Sequence, residues 1–241
     1  MVTSRLSEKL SIVLALMLAV SHLYSGGKIT GAVTYEGSVP RMKAIRMGAD
    51  PICQAKHESP IRSEWLLVGE KGEVGNVFVY IKEGLGDKSF PVPENPVVLD
   101  QKGCIYSPHI FGIQASQPLE VLNSDGTLHN VHAVAKANRS FNEAMPAVRK
   151  KITKTFDQPE IMVRIKCDVH PWMGSYAGVL NHPYFAVTGE DGVFEIKNLP
   201  PGKYTVEAWH ERLRTRTATV TVKDEETATV DFKFTRPGKK K

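Results

Sequence analysis

Short runs of β-branched and aromatic residues recur along the whole chain, and this pattern restricts the fold more than any other feature of the sequence. Gly, Pro, Asn and Asp separate the runs, as at 123–126, 190–192 and 200–202. Outside the amino-terminal apolar stretch, no long segment keeps the 3.6-residue period of an amphipathic helix. We therefore predict an all-β chain built from β-sandwiches. The runs cover residues 29–35, 77–81, 97–99, 119–122, 131–134, 161–165, 176–180, 193–196, 204–208, 218–222 and 228–234.

The first 25 residues have the pattern of a secretory signal peptide. Arg5 and Lys9 precede an apolar run over 10–20, and small residues follow at Ser21 and Ser25. The run is too short to span a bilayer comfortably, and no later segment approaches that length. We predict that 1–25 is a signal peptide and that the mature protein is periplasmic or secreted, without a stable membrane span. A retained anchor is the alternative.

The three cysteines fit an oxidising compartment, where one pair forms a disulfide and an odd cysteine needs another role. Cys167 stands in a ligand-like cluster, which leaves Cys53 and Cys104 as the predicted disulfide. The alternative is three free thiols. The formal net charge of +5 favours an acidic partner. The sequence lacks the basic stripe interleaved with aromatic residues that is typical of nucleic-acid binding, so we do not expect a nucleic-acid partner.

The segment Cys-Asp-Val-His-Pro-Trp-Met at 167–173 carries a thiolate, an imidazole and a thioether at two-residue gaps. Thiolate and thioether suit Cu(I), and imidazole serves both oxidation states of copper. A site of two histidines, one cysteine and a weak methionine needs one more histidine. The segment Leu-His-Asn-Val-His at 128–132 supplies it. The cofactor predicted is one copper ion that cycles between Cu(I) and Cu(II).

These two segments resemble the copper-binding segments of amicyanin and of the plastocyanin-like cupredoxins generally, over residues 91–185. The resemblance implies a Greek-key β-sandwich in which His129, Cys167 and His170 are the strong ligands and Met173 is the axial ligand. Asn130 corresponds to the residue that ties the two ligand segments together near the sulfur. Trp172 is either a core residue or part of an apolar surface beside His170.

A second resemblance covers the segment over 187–208, with its Asp-Gly hairpin and Leu-Pro-Pro-Gly turn. It is similar to the carboxypeptidase regulatory-like (transthyretin-like) sandwich. The opening strands of that family are similar to 28–37 and 75–82, far upstream. We therefore expect a discontinuous small sandwich over 28–90 and 186–236, with the cupredoxin inserted at 91–185. Two consecutive domains are the alternative.

A hydrogen-bonded structural role is the expectation for His109, His182 and His210, and His132 is expected to be an ordinary polar residue. His129 and His132 should lie on opposite faces of one strand, because neighbouring strand residues alternate. This argues against both of them binding one metal ion.

The function predicted is that of a one-electron carrier with a redox partner protein, and not an enzyme. Four protein ligands leave no open coordination position, and no nucleophile elbow, paired carboxylates or phosphate loop is present in the sequence. The alternatives are a copper-storage or copper-delivery protein, and a binding module that copper stabilises. We also expect His129 to be the more buried histidine and the edge of His170 to reach the surface beside Trp172, where electrons would enter.

Overall fold

The computed structural model describes residues 26–236, so the predicted signal peptide and the basic carboxyl-terminal residues lie outside it. Within this range the chain is all-β, as predicted, with one short helix, α1 (Pro51–Gln54). None of these residues belongs to a helix long and apolar enough to cross a membrane. The strands are β1 (Gly27–Glu36), β2 (Leu67–Val68), β3 (Val74–Gly75), β4 (Phe78–Glu83), β5 (Val97–Lys102), β6 (Ile105–Ser107), β7 (Ile110–Gln114), β8 (Leu119–Asn123), β9 (His129–Val134), β10 (Phe141–Met145), β11 (Lys151–Lys154), β12 (Glu160–Lys166), β13 (Gly174–Leu180), β14 (Phe185–Val187), β15 (Val193–Leu199), β16 (Gly202–His210), β17 (Arg214–Val222), β18 (Thr227–Thr229) and β19 (Phe232–Thr235).

The strands from β5 to β13 form what we call the central sandwich. Its two sheets have the strand orders β10-β9-β12-β13-β7 and β11-β8-β5-β6. Alternate residues point inward, as in β8, where Leu119, Val121 and Asn123 are buried and the two residues between them are half-buried. The inward faces of both sheets share one apolar core. Each sheet contains both antiparallel and parallel strand pairs, and the two sheets share one core. Together they form the sandwich that the sequence predicts.

The remaining long strands form what we call the terminal sandwich, because they come from both ends of the described chain. One sheet has the order β14-β4-β16-β17, and the other has β1 between β15 on one side and β18 and β19 on the other. The pairing of β1 with β15 is antiparallel, and its pairing with β18 and β19 is parallel. β1 alternates buried and half-buried residues along most of its length, and Ile29 and Val33 enter the core.

The two sandwiches meet along β4, which explains why its first four residues are all buried. Val79 and Ile81 enter the core of the terminal sandwich. Phe78 and Tyr80 point the other way, into a small apolar cluster that also contains residues of β7 and β13. The ring of Phe78 packs on Gly178, where an added Cβ would lie 2.4 Å from the ring. Only glycine allows so close an approach between the two sandwiches.

The segment over 38–63, between β1 and β2, lies against the central sandwich and is called the cap segment below. Met47 and Cys53 are buried in the core of the central sandwich. A disulfide joins Cys53 to Cys104, the two cysteines expected to pair. The helix α1 was not predicted, but its start is built from ordinary signals: Asp50 caps the backbone N–H groups of Ile52 and Cys53, and Pro51 follows the cap.

Candidate metal centre

Two neighbouring strands of the central sandwich bring the predicted ligand segments together. His129 is the first residue of β9, and Cys167 comes directly after β12, which pairs with β9 in antiparallel fashion. His170 and Met173 lie in the turn between β12 and β13. That turn is closed by backbone hydrogen bonds from Cys167 N to Met173 O (3.3 Å) and from Met173 N to His170 O (2.9 Å).

The donor atoms of three of these residues converge in the interior. The Nδ1 atoms of His129 and His170 are 2.9 Å apart, and the Cys167 Sγ atom is 4.0 Å from His170 Nδ1. All three donor atoms lie within 4.8 Å of one another. The side chains are buried, as is that of Met173. Two imidazole nitrogens and one thiolate at this spacing are close enough to share one metal ion, and the mixture of soft sulfur and imidazole suits copper.

Asn130 links the two ligand segments, as the resemblance implies. Its Oδ1 atom accepts a hydrogen bond from Asp168 N (2.7 Å) and lies 3.2 Å from Cys167 Sγ. Its Nδ2 atom donates to the side chain of Asn142 on the neighbouring strand. The sulfur also accepts a hydrogen bond from His170 N at 3.3 Å. These contacts fix the position of the sulfur relative to β9.

Trp172 packs against the metal-binding residues from the side. Its ring centroid is 5.0 Å from that of His170, and its Nε1 atom donates to Cys104 O at 2.9 Å. The indole therefore joins the ligand turn to the half-cystine that anchors the cap segment. It is half-buried, so it is neither fully a core residue nor an open apolar surface.

The expectation that the edge of His170 reaches the surface is wrong. His170 is 2 % exposed and His129 is 0 % exposed, so the two histidines are buried almost equally. The cap segment covers His170: Asp50 Oδ2 is 2.9 Å from His170 Nε2, and Cys53 Sγ is 3.5 Å from the same nitrogen. The ligand turn alone does not indicate this cover, because the covering segment lies some 120 residues away along the chain.

The electrostatics of the centre lower the pKa of Cys167 and raise that of His129. Burial raises the pKa of the Cys167 thiol, but the hydrogen bond from His129 and the backbone N–H groups around the sulfur outweigh burial and lower the pKa overall. Burial lowers the pKa of His129, but Asp125 and Cys167 outweigh it and raise the pKa to about 9. A metal ion bound here would displace a proton from His129, and its thiolate ligand would be one whose ionisation the surroundings favour.

The four histidines without a predicted metal role in the two sandwiches, which are His109, His132, His182 and His210, make structural hydrogen bonds. His132 faces outward from β9 and pairs with Asp168 at 2.8 Å, on the opposite side from His129. His109 bonds to Gly174 O and to Glu211. His182 and His210 each accept backbone N–H groups through Nδ1.

Two carboxylates at the centre were missed by the sequence reasoning. Asp125 lies 3.0 Å from His129 Nε2, and Asp50 lies against His170. A signal for Asp125 existed, since it lies in the turn four residues before His129. For Asp50 the only signal was that it lies three residues before Cys53, and the disulfide of Cys53 holds this part of the chain against the central sandwich.

Comparisons with known proteins gave one family-model match and several matches to solved structures. Residues 178–235 match the family model of the carboxypeptidase regulatory-like domain. A Cu-containing nitrite reductase from Thermus scotoductus matches with 17% identity over 42% of this chain and 26% of its own, at a TM-score of 0.34. The chain thus spans about a quarter of that enzyme.

Amicyanin variants also match. One in the Cu(I) form has 19% identity over 42% of this chain and 97% of its own, at a TM-score of 0.32. A reduced Cu(I) form of another, at pH 4, has 20% identity over the same shares and the same TM-score. TM-scores this low carry no function from these proteins to this chain. No curated protein matches it in sequence.

Proposed function

We propose that this protein is an exported mononuclear copper protein of the type 1 class that acts as a one-electron carrier. His129, Cys167 and His170 would hold the ion, with Met173 as the weak axial ligand. The observation that carries the proposal is the convergence of three buried donor atoms within 4.8 Å. A bound copper ion would supply reversible exchange of one electron between Cu(I) and Cu(II).

The chain's own contribution is to hold the donors in place before any metal binds. The ligand turn is closed by its backbone hydrogen bonds, and Pro171 restricts both its own φ and the conformation of His170. Asn130 fixes the sulfur against β9. Donors that are already positioned move little when the charge at the site changes, which suits rapid electron exchange.

A carrier fits the geometry better than an enzyme or a copper-delivery protein. Four protein side chains would fill the positions around the proposed ion, whereas catalytic metal sites keep one position for substrate. Delivery requires ligands that a second protein can reach and replace. Here the two histidines are buried and the cap segment covers the outer edge of one of them.

We further propose an exported location and an acidic redox partner. The Cys53–Cys104 disulfide supports an oxidising compartment such as the periplasm. The outer face of the cap segment supports the proposal of an acidic partner. Four basic side chains line one groove there, and none of them forms an ion pair with a described residue. They are Arg41, Lys43, Arg46 and Arg62. Electron exchange with an acidic redox protein should then slow as salt is added, because salt screens the attraction.

The domain division that we propose is a regulatory-like sandwich over 28–90 and 186–236 with the copper domain inserted at 91–185. It is supported by the pairing of β1 with β15, β18 and β19 and of β4 with β14 and β16. The family match at 178–235 covers the second of these pieces.

Two histidines three residues apart on β9 provide a matched test of the metal centre. We expect the copper-loaded protein to show an intense visible charge-transfer band from Cys167 to Cu(II). His129→Gln should abolish or strongly alter the band, because it removes a ligand. His132→Gln should leave the band unchanged, because His132 faces outward and bonds to Asp168.

Absorption spectra and copper stoichiometry of both variants and of Cys167→Ser make the measurement. A colourless wild-type protein that prefers zinc to copper would contradict the proposed function. A coloured protein whose copper leaves readily in the reduced form would favour the delivery alternative.

A further inference from the structure

The outer nitrogens of both predicted histidine ligands are each held by a carboxylate. His129 Nε2 is 3.0 Å from Asp125 Oδ2, and His170 Nε2 is 2.9 Å from Asp50 Oδ2. The inner nitrogens, Nδ1 of both rings, face each other at 2.9 Å. Each carboxylate accepts a hydrogen bond from Nε2–H, which leaves Nδ1 as the atom that points towards Cys167.

Asp125 is itself fixed by several donors. Its Oδ1 atom accepts the backbone N–H of Gly103 at 2.8 Å, and its Oδ2 atom accepts that of Cys104 at 2.7 Å. Lys56 Nζ lies 3.0 Å from Oδ1. Asp125 is 1 % exposed, so this carboxylate is buried with its charge balanced by Lys56 and by His129.

Asp50 is fixed by the helix that it caps. Its Oδ1 atom accepts the backbone N–H groups of Ile52 (2.8 Å) and Cys53 (3.2 Å), which leaves Oδ2 for His170. In the part of the chain that the structure describes, His170 is the only basic side chain within ion-pair distance of Asp50. The disulfide joins the helix of Asp50 to Cys104, whose N–H binds Asp125. The two carboxylates are therefore held relative to each other by one covalent link.

We propose that Asp50 and Asp125 are positioning residues for the metal centre, and that Asp50, supplied by the cap segment, lowers the reduction potential of the bound copper. This inference rests on the proposed function. Asp50 is expected to have the larger effect, because the charge of Asp125 is already balanced by Lys56.

The physical reason lies in the imidazole rings. A carboxylate that accepts the outer N–H of a metal-binding histidine orients the ring and makes its other nitrogen a stronger electron donor. A stronger donor stabilises Cu(II) more than Cu(I), because Cu(II) carries the greater positive charge. Removal of the carboxylate should therefore raise the potential and weaken the binding of Cu(II).

Asp50→Asn and Asp50→Ser test this without removing the helix cap, because Asn and Ser are both good capping residues. In both variants we expect a higher reduction potential than in the wild type and a Kd for Cu(II) that is greater by about 10- to 100-fold. The melting temperature of the metal-free protein should change little. In the zinc-loaded protein, the Nε2–H proton of His170 should exchange with solvent faster in both variants than in the wild type, as followed by NMR.

Asp168→Asn is the control for a neighbouring charge that contacts neither ligand imidazole. Asp168 follows Cys167 directly, and its carboxylate contacts Lys166, His132, Asn142 and the Nδ2 atom of Asn130. Asn at this position keeps an oxygen that can accept the amide hydrogen bonds. Its removal should shift the potential less than either Asp50 variant does and leave the His170 proton unchanged. A wild-type protein without the charge-transfer band overturns the proposed function. A wild-type band together with unchanged potential and proton exchange in both Asp50 variants overturns this inference alone.

Discussion

The two sandwiches have similar sheets but differ in where they bury titratable side chains: the terminal sandwich buries Glu207 and His210 along β16, whereas the central sandwich clusters its own at the candidate metal centre. The core of the terminal sandwich is apolar, with Val33, Phe194 and Phe234 among its fully or nearly fully buried members. One end of the central sandwich instead buries Asp125 and His129, at 1 % and 0 % exposure. Burial of apolar surface stabilises a fold, whereas a buried charge is costly unless it is paired. The central sandwich therefore gives up stability at the end where the metal centre lies and recovers it through hydrogen bonds.

This difference assigns separate tasks to the two parts. The terminal sandwich closes the two ends of the described chain against each other and supplies a frame. The central sandwich holds a prearranged set of donors, with the cap segment and its disulfide as an additional support. A change in the frame should therefore affect stability first, and a change in the supports should affect the metal centre first.

The largest effect is expected from deleting a ring in either core. Phe234 is 0 % exposed in the terminal core and Phe156 is 1 % exposed in the central core. Changing either residue to Ala should lower the free energy of unfolding by about 3–5 kcal/mol, because each leaves a cavity. Phe234→Ala should lower the temperature at which the terminal strands become sensitive to protease. Phe156→Ala should lower the temperature at which the copper band is lost.

The pair also tests the domain division. Separate transitions in the two variants would agree with two folding units joined at β4. If each variant lowered the transition temperatures of both probes equally, the chain would unfold as one cooperative unit, and the division would be contradicted.

The disulfide should have the next largest effect. It joins residues 51 positions apart. The loop-entropy model gives about 4 kcal/mol for a closed loop of that length. The double change of Cys53→Ser and Cys104→Ser should lower stability by about that amount and release Asp50 from His170. Denaturant unfolding and the copper spectrum measure both effects. Alkylation and mass mapping of the wild-type protein would show that the bridge does not form if they found free thiols at Cys53 and Cys104 in addition to the one at Cys167.

The sequence predicted most of the long strands, because their signal is local, but it did not predict β7, β10, β11 or β14. Alternation of buried and exposed residues in β1 and β8 can be read from the amino acids alone. The ligand turn was equally accessible, since Cys167, His170 and Met173 lie within seven residues of one another. The approach of His129 to this turn followed from the resemblance to a known family.

The cap segment could not be predicted in the same way. It has few strand signals, and its contact with His170 joins residues 120 positions apart. In the sequence, Asp50 looks like any other helix-capping residue. Only the folded chain shows that its second carboxylate oxygen forms a hydrogen bond with the imidazole of His170. The wrong expectation of an exposed His170 came from this missing long-range contact.

The smallest effect is expected from an ion pair that joins the two sandwiches. His109, just before β7, places Nδ1 3.0 Å from Gly174 O and Nε2 2.7 Å from Glu211 Oε1, directly after β16. Both ring nitrogens face acceptors, so the imidazole donates twice and is charged. Burial lowers the pKa of His109, but the hydrogen bond to Glu211 and the charges of Glu211 and Glu64 outweigh burial and raise the pKa overall.

The sign of the pH dependence follows from that raised pKa. The stabilisation should be fully present below the unfolded-state pKa of about 6.5 and should be lost as the pH rises through the higher folded-state pKa. Glu211→Gln should reduce stability by about 1.5–3 kcal/mol at pH 6, and its difference from the wild type should narrow at alkaline pH. Denaturant unfolding of both proteins across this pH range measures the difference. A difference that stays constant with pH would mean that His109 is neutral in the folded protein and that Glu211 holds the sandwiches together by an uncharged hydrogen bond alone.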